Sequence, residues 1–405
     1  MLRMQAFKFE LQPVREQERN MRKFAGSCRF VFNKALAIQK ENHEAGNKFI
    51  SYVSMAKQLT EWRNSTEMPW LKEAPCHPLQ HSLKDLERAY QNFFAKRADF
   101  PRFKMKGSNS SFRYPDSTQF KLEQENSRIF LPKLGWIRYR KSRNVVGELC
   151  NVTISSNGKK WFMSIQTERE VAKPKSTATT AIGIDVGIAR FACFNDGSYI
   201  APINSFKKQQ TRLVKHQRRL THKMKFSNNW KKEKNKIQKI HTDIANVRKD
   251  FLHKITTTIS KNHALVCVED LQVRNMSKSA AGTKEQPGKM VRQKSRLNRS
   301  ILDQGWGLFR HQLEYKLSWN GGILLAVPPE HTSQTCPCCE HLSKDNRKTQ
   351  AQFECVGCGY KNHADVVGAI NILERGHRLL ARGESVVLNR SKKQEPTEVS
   401  QLVYN

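Results

Sequence analysis

Hydrophobic and polar residues alternate at the start of the chain. Phe7, Phe9 and Leu11 share one side of this pattern, which has the period of a β-strand. A helical spacing of apolar residues replaces the alternation between about residues 17 and 98, and prolines separate its segments. Alternation returns after Pro101. The pattern therefore predicts a β-barrel or sandwich whose first strand is N-terminal and which carries a helical insert at roughly residues 20–100.

The clearest turn signal of this first region is Ser156-Asn-Gly158. It stands between two alternating runs, residues 151–155 and 161–165, which is the pattern of a β-hairpin. Three earlier runs also alternate and are predicted strands, at residues 102–106, 128–132 and 135–140. Residues 171–180 have the composition of a linker.

A second pattern begins at residue 181, where short apolar strands are mixed with long helical stretches. Residues 201–260 contain 16 Lys and Arg against 3 Asp and Glu, on helices with an apolar inner face. That inner face is predicted from Leu213, His216, Leu220, Ile237, Ile240, Ile244 and Val247. The remaining predicted elements are strands at 181–187, 191–197, 264–269 and 323–327, a mobile basic loop at 274–300, and helices at 301–319 and 364–374.

Composition adds a strong constraint on partners. Among 405 residues, 71 Lys and Arg face 36 Asp and Glu, which gives a formal net charge of +35. Such an excess indicates a polyanionic partner, and nucleic acid is the usual one. No run of about 18 apolar residues is present, so neither a membrane span nor a membrane partner is expected. We expect a cytoplasmic protein, whose 10 Cys are thiols or metal ligands rather than disulfides.

Five of the cysteines cluster near the C-terminal end. Cys336 and Cys339 form one Cys-x-x-Cys pair, and Cys355 and Cys358 form another. Four thiolates at this spacing are typical of a closed, structural zinc site. Cys338 lies inside the first pair and could replace a ligand. A redox pair or incidental thiols are the alternatives.

Three acidic residues stand in contexts that suggest chemistry. Asp185 interrupts an apolar strand, Glu269 ends another, and Asp365 begins the last helix. Three carboxylates from two strands and a helix can hold two Mg²⁺ ions about 4 Å apart and support phosphodiester hydrolysis. Each acid also has a structural alternative. Asp185 could be a turn residue, Glu269 a solvated strand end, and Asp365 a helix N-cap.

Several motifs occur in an order that resembles a known family. They include Gly183-Ile-Asp-Val-Gly187, Val268-Glu-Asp-Leu271, the two cysteine pairs and His363-Ala-Asp365. Residues 29–34 and 298–306 resemble two further signatures. Together they resemble the TnpB (OrfB) family encoded by bacterial insertion sequences, relatives of type V CRISPR effectors. The resemblance covers about residues 1–375.

The resemblance implies a multidomain α+β and α/β fold. A wedge-like, OB-like β-barrel with an inserted helical bundle precedes an RNase H-like (RuvC) domain that a zinc ribbon interrupts. The implied domains are the barrel at 1–20 and 101–172, a helical recognition lobe at 21–100, the RuvC-like domain at 180–330 and 360–376, the ribbon at 331–359, and a disordered tail at 377–405.

The resemblance also implies function. Asp185, Glu269 and Asp365 correspond to the family's catalytic acids, which bind Mg²⁺, with Mn²⁺ as a substitute. The implied partners are a guide RNA and double-stranded DNA, and the implied form is a monomer with its RNA, associated with the bacterial nucleoid. The alternatives are a strand-transfer protein that acts on transposon ends and a regulator that has lost cleavage.

Overall fold

The computed structural model describes residues 1–106, 110–158, 160–283 and 285–382. The chain divides into two compact units, residues 1–172 and residues 173 onward. Both combine helices with β-sheet, so the predicted mixed α/β composition is confirmed. Among the described residues, no helix is long and apolar enough to cross a membrane.

The first unit is built on a seven-stranded antiparallel sheet. Its strands are β1 (Leu2–Gln12), β2 (Ser111–Tyr114), β3 (Lys121–Glu123), β4 (Arg128–Leu131), β5 (Gly135–Tyr139), β6 (Glu148–Ser156) and β7 (Trp161–Glu170). The strand order is β2-β6-β7-β1-β5-β4-β3. The N-terminal strand is therefore the centre of the sheet. It pairs with β7 from Leu2↔Glu170 to Leu11↔Trp161, which buries Phe7 and Phe9 on one face.

Three helices belong to the first unit. They are α1 (Arg15–Glu44), α2 (Tyr52–Asn64) and α3 (Cys76–Phe94). The apolar stripe of α3 is buried, as its helical spacing predicts. The first helix begins at Arg15, before the predicted boundary at residue 21. Its start is held by Gln17, whose side-chain amide donates hydrogen bonds to the carbonyls of Leu134 and Trp136 in the sheet.

The predicted strand at residues 102–106 is wrong. These residues form no strand, because Asn33 of α1 takes the place of a strand partner. The Asn33 amide donates to the carbonyl of Lys104 at 3.0 Å, and its oxygen accepts from the Lys104 N–H at 2.8 Å. The Lys104 ammonium also lies 3.8 Å from the ring centroid of Phe32. A side chain of a helix therefore satisfies the backbone that the alternation assigned to a sheet.

The second unit contains a five-stranded sheet of order β10-β9-β8-β11-β12. These strands are β8 (Thr180–Val186), β9 (Ala192–Phe194), β10 (Tyr199–Ile200), β11 (His263–Glu269) and β12 (Ile323–Val327). The central strands β8, β11 and β12 run parallel, while β9 is antiparallel to β8. Two short strands, β13 (Gln352–Glu354) and β14 (Lys361–His363), pair separately.

Six α-helices lie in the described part of the second unit. They are α4 (Ser205–Thr221), α5 (Asn228–Asn262), α6 (Val273–Met276), α7 (Val291–Gln304), α8 (Trp306–Asn320) and α9 (Ala364–Ala381). Two predictions need correction here. The supposed mobile loop at 274–300 is helical from Val291 onward, and Gly305, with φ 75°, breaks the helix predicted at 301–319 into two.

The α4–α5 hairpin has the predicted inner face over most of its length. Leu213, Ile240 and Ile244 form a small buried core, but Val247 is 48% exposed and does not belong to it. The last helix, α9, runs to Ala381 and so continues past residue 377, where the tail was predicted to start. Residues 383–405 of that tail lie outside the described residues.

Helix α9 packs directly on the backbone of β8 at Gly183. A Cβ atom at this position would meet the carbonyl oxygen of Ala369 and lie 2.8 Å from Leu373 Cβ. We therefore expect Gly183→Ala to push α9 off the sheet and to destabilise the second unit by roughly 3 kcal/mol or more. Thermal unfolding of the purified chain measures this. The control is Gly26→Ala in α1, where nothing lies within 4 Å, and where alanine should stabilise by about 0.5–1 kcal/mol. Equal effects of the two substitutions would contradict the close approach.

Candidate active site and cysteine cluster

Two of the predicted acids meet because their strands are parallel neighbours. Ile184 of β8 pairs with Val268 of β11, so the next residues, Asp185 and Glu269, leave the sheet at the same edge. Carboxyl ends of adjacent parallel strands are where open α/β sheets place their ligand sites. Both side chains are half-buried, which excludes the alternative of a fully solvated strand end for Glu269.

The third acid reaches the same edge from helix α9. Asp365 lies in the first turn of this helix, and Gly368 follows it one turn later. An ideal Cβ atom on Gly368 would lie 3.1 Å from Asp185 Oδ2, so the Asp185 carboxylate rests against α9. The N-cap of the helix is His363, whose Nδ1 accepts from the N–H of Asp365. The alternative that Asp365 is the N-cap is therefore wrong.

The electrostatics of the acids reflect this crowding. Loss of hydration, followed by repulsion from Glu269 and then from Asp365, raises the pKa of Asp185 to about 8. Loss of hydration also raises the pKa of Glu269, against a hydrogen bond that favours its ionised form. Asp185 thus carries a proton at neutral pH unless a cation takes its place.

Two polar residues that the sequence analysis missed contact the acids. Thr332 Oγ1 donates to Glu269 Oε1 at 2.6 Å. Arg347 places its guanidinium 4.0 Å from Asp365 Oδ1, and its charge lowers the pKa of Asp185 against the larger effects that raise it. The side chain of Arg347 is held in place because it donates to Ser333 Oγ at 2.7 Å. Both residues flank the cysteine pairs in sequence, which was the available signal.

The four predicted zinc ligands come together. Cys336, Cys339, Cys355 and Cys358 form a group whose Sγ atoms all lie within 4.8 Å of one another. Two cross-pairs, Cys336–Cys358 and Cys339–Cys355, are 3.6 Å apart. Tetrahedral bonds of about 2.3 Å to one zinc ion would require roughly 3.8 Å between sulfurs, so the geometry fits. Cys338 is exposed and lies outside the group.

One buried side chain joins the two cysteine pairs. The Asn346 amide donates to the carbonyl of His341, beside the first pair, at 2.9 Å. Its oxygen accepts from the N–H of Val356, inside the second pair, at 2.9 Å. Asn371 of α9 then donates to the carbonyls of Thr332 and Thr335, which attaches the cysteine module to the helix that carries Asp365.

The carboxylates are more widely spaced than the thiols. Over the part of the chain that the structure describes, the cysteine group alone has all its ligand atoms within 4.8 Å. The charges of Glu269 and Asp365 are near enough to raise the pKa of Asp185, but a shared ion would require the carboxylate oxygens to move closer together.

Comparison with known proteins identifies related families. The chain matches a family described as "Probable transposase" (OrfB_IS605) over residues 164–280 and one described as "Cas12f1-like, TNB domain" over residues 306–372. A profile described as "Helix-turn-helix domain" of OrfB_IS605 matches residues 1–48, which here form β1 and the single helix α1.

The chain is thus a mixed α/β protein in which three acids lie at one edge of a parallel sheet. A four-cysteine module is attached to the helix that carries the third acid. The fold is similar to that in the "Cryo-EM structure of the Cas12f1-sgRNA-target DNA complex", with a TM-score of 0.52, 10% identity, and coverage of 92% of this chain and 98% of that chain. The chain is 60% identical to the "Putative RNA-guided DNA endonuclease InsQ" of Escherichia coli K12 over 99% of both chains. The chain is also 32% identical to a "Putative RNA-guided DNA endonuclease" of Streptomyces pristinaespiralis, over 96% of each chain. The chain belongs to the TnpB (OrfB) family, as its motifs predicted.

The raised pKa of Asp185 predicts how stability depends on pH in a buffer without divalent ions. A carboxyl group whose pKa is raised by folding makes its full contribution to the stability of the folded state below the pKa that it has in the unfolded chain. This contribution is lost as the pH rises through its pKa in the folded chain, here about 8. We therefore expect Asp185→Asn to raise the free energy of unfolding at pH 8 by on the order of 1 kcal/mol, which corresponds to a Tm increase of about 2–4 °C. The increase should be smaller at pH 5. Thermal melts check this in dialysed, chelator-free buffer, so that the thiol site is left intact. A variant that is less stable than the natural chain at both pH values would contradict the repulsion described above.

Proposed function

We propose that this protein is an RNA-guided DNA endonuclease of a transposable element. The observation that carries this proposal is 60% identity along 99% of the chain to InsQ, together with the presence of all three acids at one sheet edge. The protein would work in the bacterial cytoplasm at the nucleoid, as a monomer with its RNA.

The proposed domain assignment follows the family. The seven-stranded sheet would be a wedge-like β-barrel at 1–20 and 101–172, with the helices of residues 21–100 as its recognition lobe. The five-stranded sheet would be a RuvC-like domain of RNase H fold at 180–330 and 360–376. Its strand order and the acids at the ends of β8 and β11 support this assignment. Residues 331–359 would form the zinc ribbon.

We propose that Asp185, Glu269 and Asp365 hold two Mg²⁺ ions, or Mn²⁺ in their place. A set of neighbouring carboxylates, in which burial raises the pKa values of Asp185 and Glu269, suits a hard divalent cation. Bound there, the ions would supply an activated water and stabilise the leaving oxygen of a phosphodiester.

The surrounding side chains prepare the acids for this task. Thr332 donates to one oxygen of Glu269 and leaves the other free to act as a ligand. Arg347 supplies a positive charge beside Asp365, where a phosphate would otherwise meet only carboxylates. Asp185 would lose its proton on binding a cation, because the positive charge would oppose the loss of hydration and the repulsion that raise its pKa.

In the proposed mechanism, base pairing supplies the sequence specificity. A guide segment of an element-derived RNA pairs with one DNA strand, and the protein contacts the heteroduplex through its backbone and reads a short flanking motif. The net charge of +35 supports a role that engages RNA and DNA together.

A strand-transfer activity is the second candidate, because the matched family is described as "Probable transposase". It predicts activity on transposon ends without RNA. A regulator that has lost cleavage is less well supported, since none of the three acids is missing.

The test begins with the RNA that the protein carries. We expect the chain, expressed with its native flanking DNA, to co-purify with one discrete RNA that reaches into flanking sequence. Loaded with that RNA and Mg²⁺, it should cut a matching DNA. Asp185→Asn should reduce the cleavage rate by at least about a thousandfold while RNA and DNA binding stay within about twofold, because only the metal site changes.

The matched control is Asp270→Asn. This acid is adjacent to Glu269 but pairs with Arg310 instead of the cluster, so cleavage should remain close to that of the natural chain. A heterogeneous RNA, or cleavage of transposon ends without RNA, would favour strand transfer. Loss of binding together with cleavage in Asp185→Asn would show that the acid is structural.

We also propose that the cysteine module binds one structural zinc ion. The N–H groups of Cys358 and Gly357, with the neighbouring thiols, lower the pKa of Cys355 although burial opposes this, so a thiolate is favoured there before metal arrives. Four cysteine ligands leave no open position for substrate, which supports a structural role.

Removal of one ligand tests the zinc site. We expect Cys339→Ser to lower bound zinc well below about one ion per chain and to lower Tm, because the module has a small core that depends on the metal. Atomic emission spectroscopy and thermal melts measure the two effects. Cys338→Ser is the control and should retain zinc, since its side chain lies outside the group. Zinc loss in Cys338→Ser instead would reassign the ligand.

A further inference from the structure

The loop that joins α4 to α5 presents aromatic rings to solvent. Phe226 is 66% exposed, and its ring centroid lies 5.6 Å from that of Trp230 in the first turn of α5. Phe226 also has a left-handed backbone, with φ 70°. A bulky residue rarely adopts this conformation without a functional reason, because its side chain strains the backbone there. We call residues 222–230 the hairpin tip.

The hairpin tip stands on a rigid base. Glu233, whose side chain is buried, bonds to His216 Nδ1 at 2.8 Å and accepts from Lys236 Nζ at 3.1 Å, which joins α4 to α5 just below the tip. Ser227 caps α5 by accepting from the N–H of Trp230. The exposed ring of Phe226 therefore lies beside a half-buried Trp230 at a capped helix end.

The surroundings of the rings are cationic. Residues 215–239 contain ten Lys and Arg and one acid, Glu233, whose charge is already paired. Lys225 Nζ lies 5.3 Å from the ring centroid of Phe226, and Lys234 Nζ lies 5.0 Å from that of Trp230. Exposed rings beside unpaired cations suit a nucleic acid, whose bases stack while its phosphates meet the lysines. A protein partner would have to present a similarly dense group of acidic side chains to match this positive charge.

The tip is also remote from the acids. Helix α5 has 35 residues, about 52 Å, and β11 adds 7 residues, about 23 Å, before Glu269. Even if β11 returns directly along a straight α5, the tip lies at least roughly 30 Å from Glu269. It therefore contacts nucleic acid away from the bond to be cut. A resident RNA, whose unpaired loops offer free bases, fits this position better than the DNA strand at the acids.

We propose that the hairpin tip is a base-stacking site for an unpaired nucleotide of the bound RNA, with Phe226 as the stacking ring and Lys225 and Lys234 as its phosphate contacts. The identity of the partner as RNA rests on the proposed function, whereas the preference for an unpaired base rests on the tip itself.

The test measures binding by the full-length chain of a fluorescein-labelled, unstructured single-stranded RNA, at several salt concentrations and without Mg²⁺. Asparagine tolerates a left-handed backbone, so Phe226→Asn removes the ring without new strain. We expect it to weaken binding about tenfold at every salt concentration, because stacking is lost and no charge is removed. Phe226→Trp should bind as the natural chain does. Lys225→Gln should instead lower the slope of log affinity against log salt by about 0.7.

Controls separate this proposal from other causes. Val247→Gln changes an exposed apolar residue of the same helix outside the tip, and it should have no effect. A 4-thiouridine-substituted RNA of the same sequence should cross-link to the peptide that contains Phe226. Equal weakening for a blunt RNA duplex, weakening only for single-stranded DNA, or cross-links confined to other regions would each overturn the proposal.

The readout is independent of cleavage. If guided cleavage fails while Phe226→Asn still weakens RNA binding, the proposed function falls and the stacking site remains. If guided cleavage succeeds while RNA affinity is indifferent to Phe226, only the stacking site is overturned.

Discussion

The gathering of three carboxylates at one partly buried sheet edge is the constraint on which the second unit depends. Asp185, Glu269 and Asp365 come from different elements and meet where little water is available to screen them. Placing ionised carboxylates close together is energetically unfavourable. The acids stay together because each one is attached to a strand or a helix. Parallel pairing fixes the first two, and the close contact of α9 with Gly183 fixes the third. The proposed cations would relieve the energetic disadvantage of placing these acids together.

The cysteine module has a role in this arrangement that exceeds its size. Its hydrophobic core is small, and two of the five buried residues in that core are members of the thiol group. Once ordered, it supplies Thr332 to Glu269 and Arg347 to the neighbourhood of Asp365, and Asn371 secures it to α9. The cysteine module thereby determines the polar surroundings of the three acids. Defects in the module should therefore resemble defects in the acids.

The sequence predicted elements whose pattern is local. The N-terminal strand, the hairpin at residues 156–158 and the four cysteine ligands appear as expected, because alternation, turn residues and ligand spacing each depend on neighbours along the chain. The strand predicted at residues 102–106 is absent, because Asn33 of a helix distant in sequence supplies the hydrogen bonds to this segment. Arg347 was missed for the same reason. Its relation to Asp365 exists only after folding brings separate segments together, and its position between the two cysteine pairs was the one signal in the sequence.

The contribution of α9 to the sheet edge has a consequence for protein synthesis. Asp365 follows Asp185 by 365 − 185 = 180 residues. At 5–20 residues per second, a ribosome needs on the order of 10–40 s between the two. Throughout that interval the emerging chain has its basic surfaces but lacks its last acid. The three acids therefore cannot meet at the sheet edge until the final helix has been made.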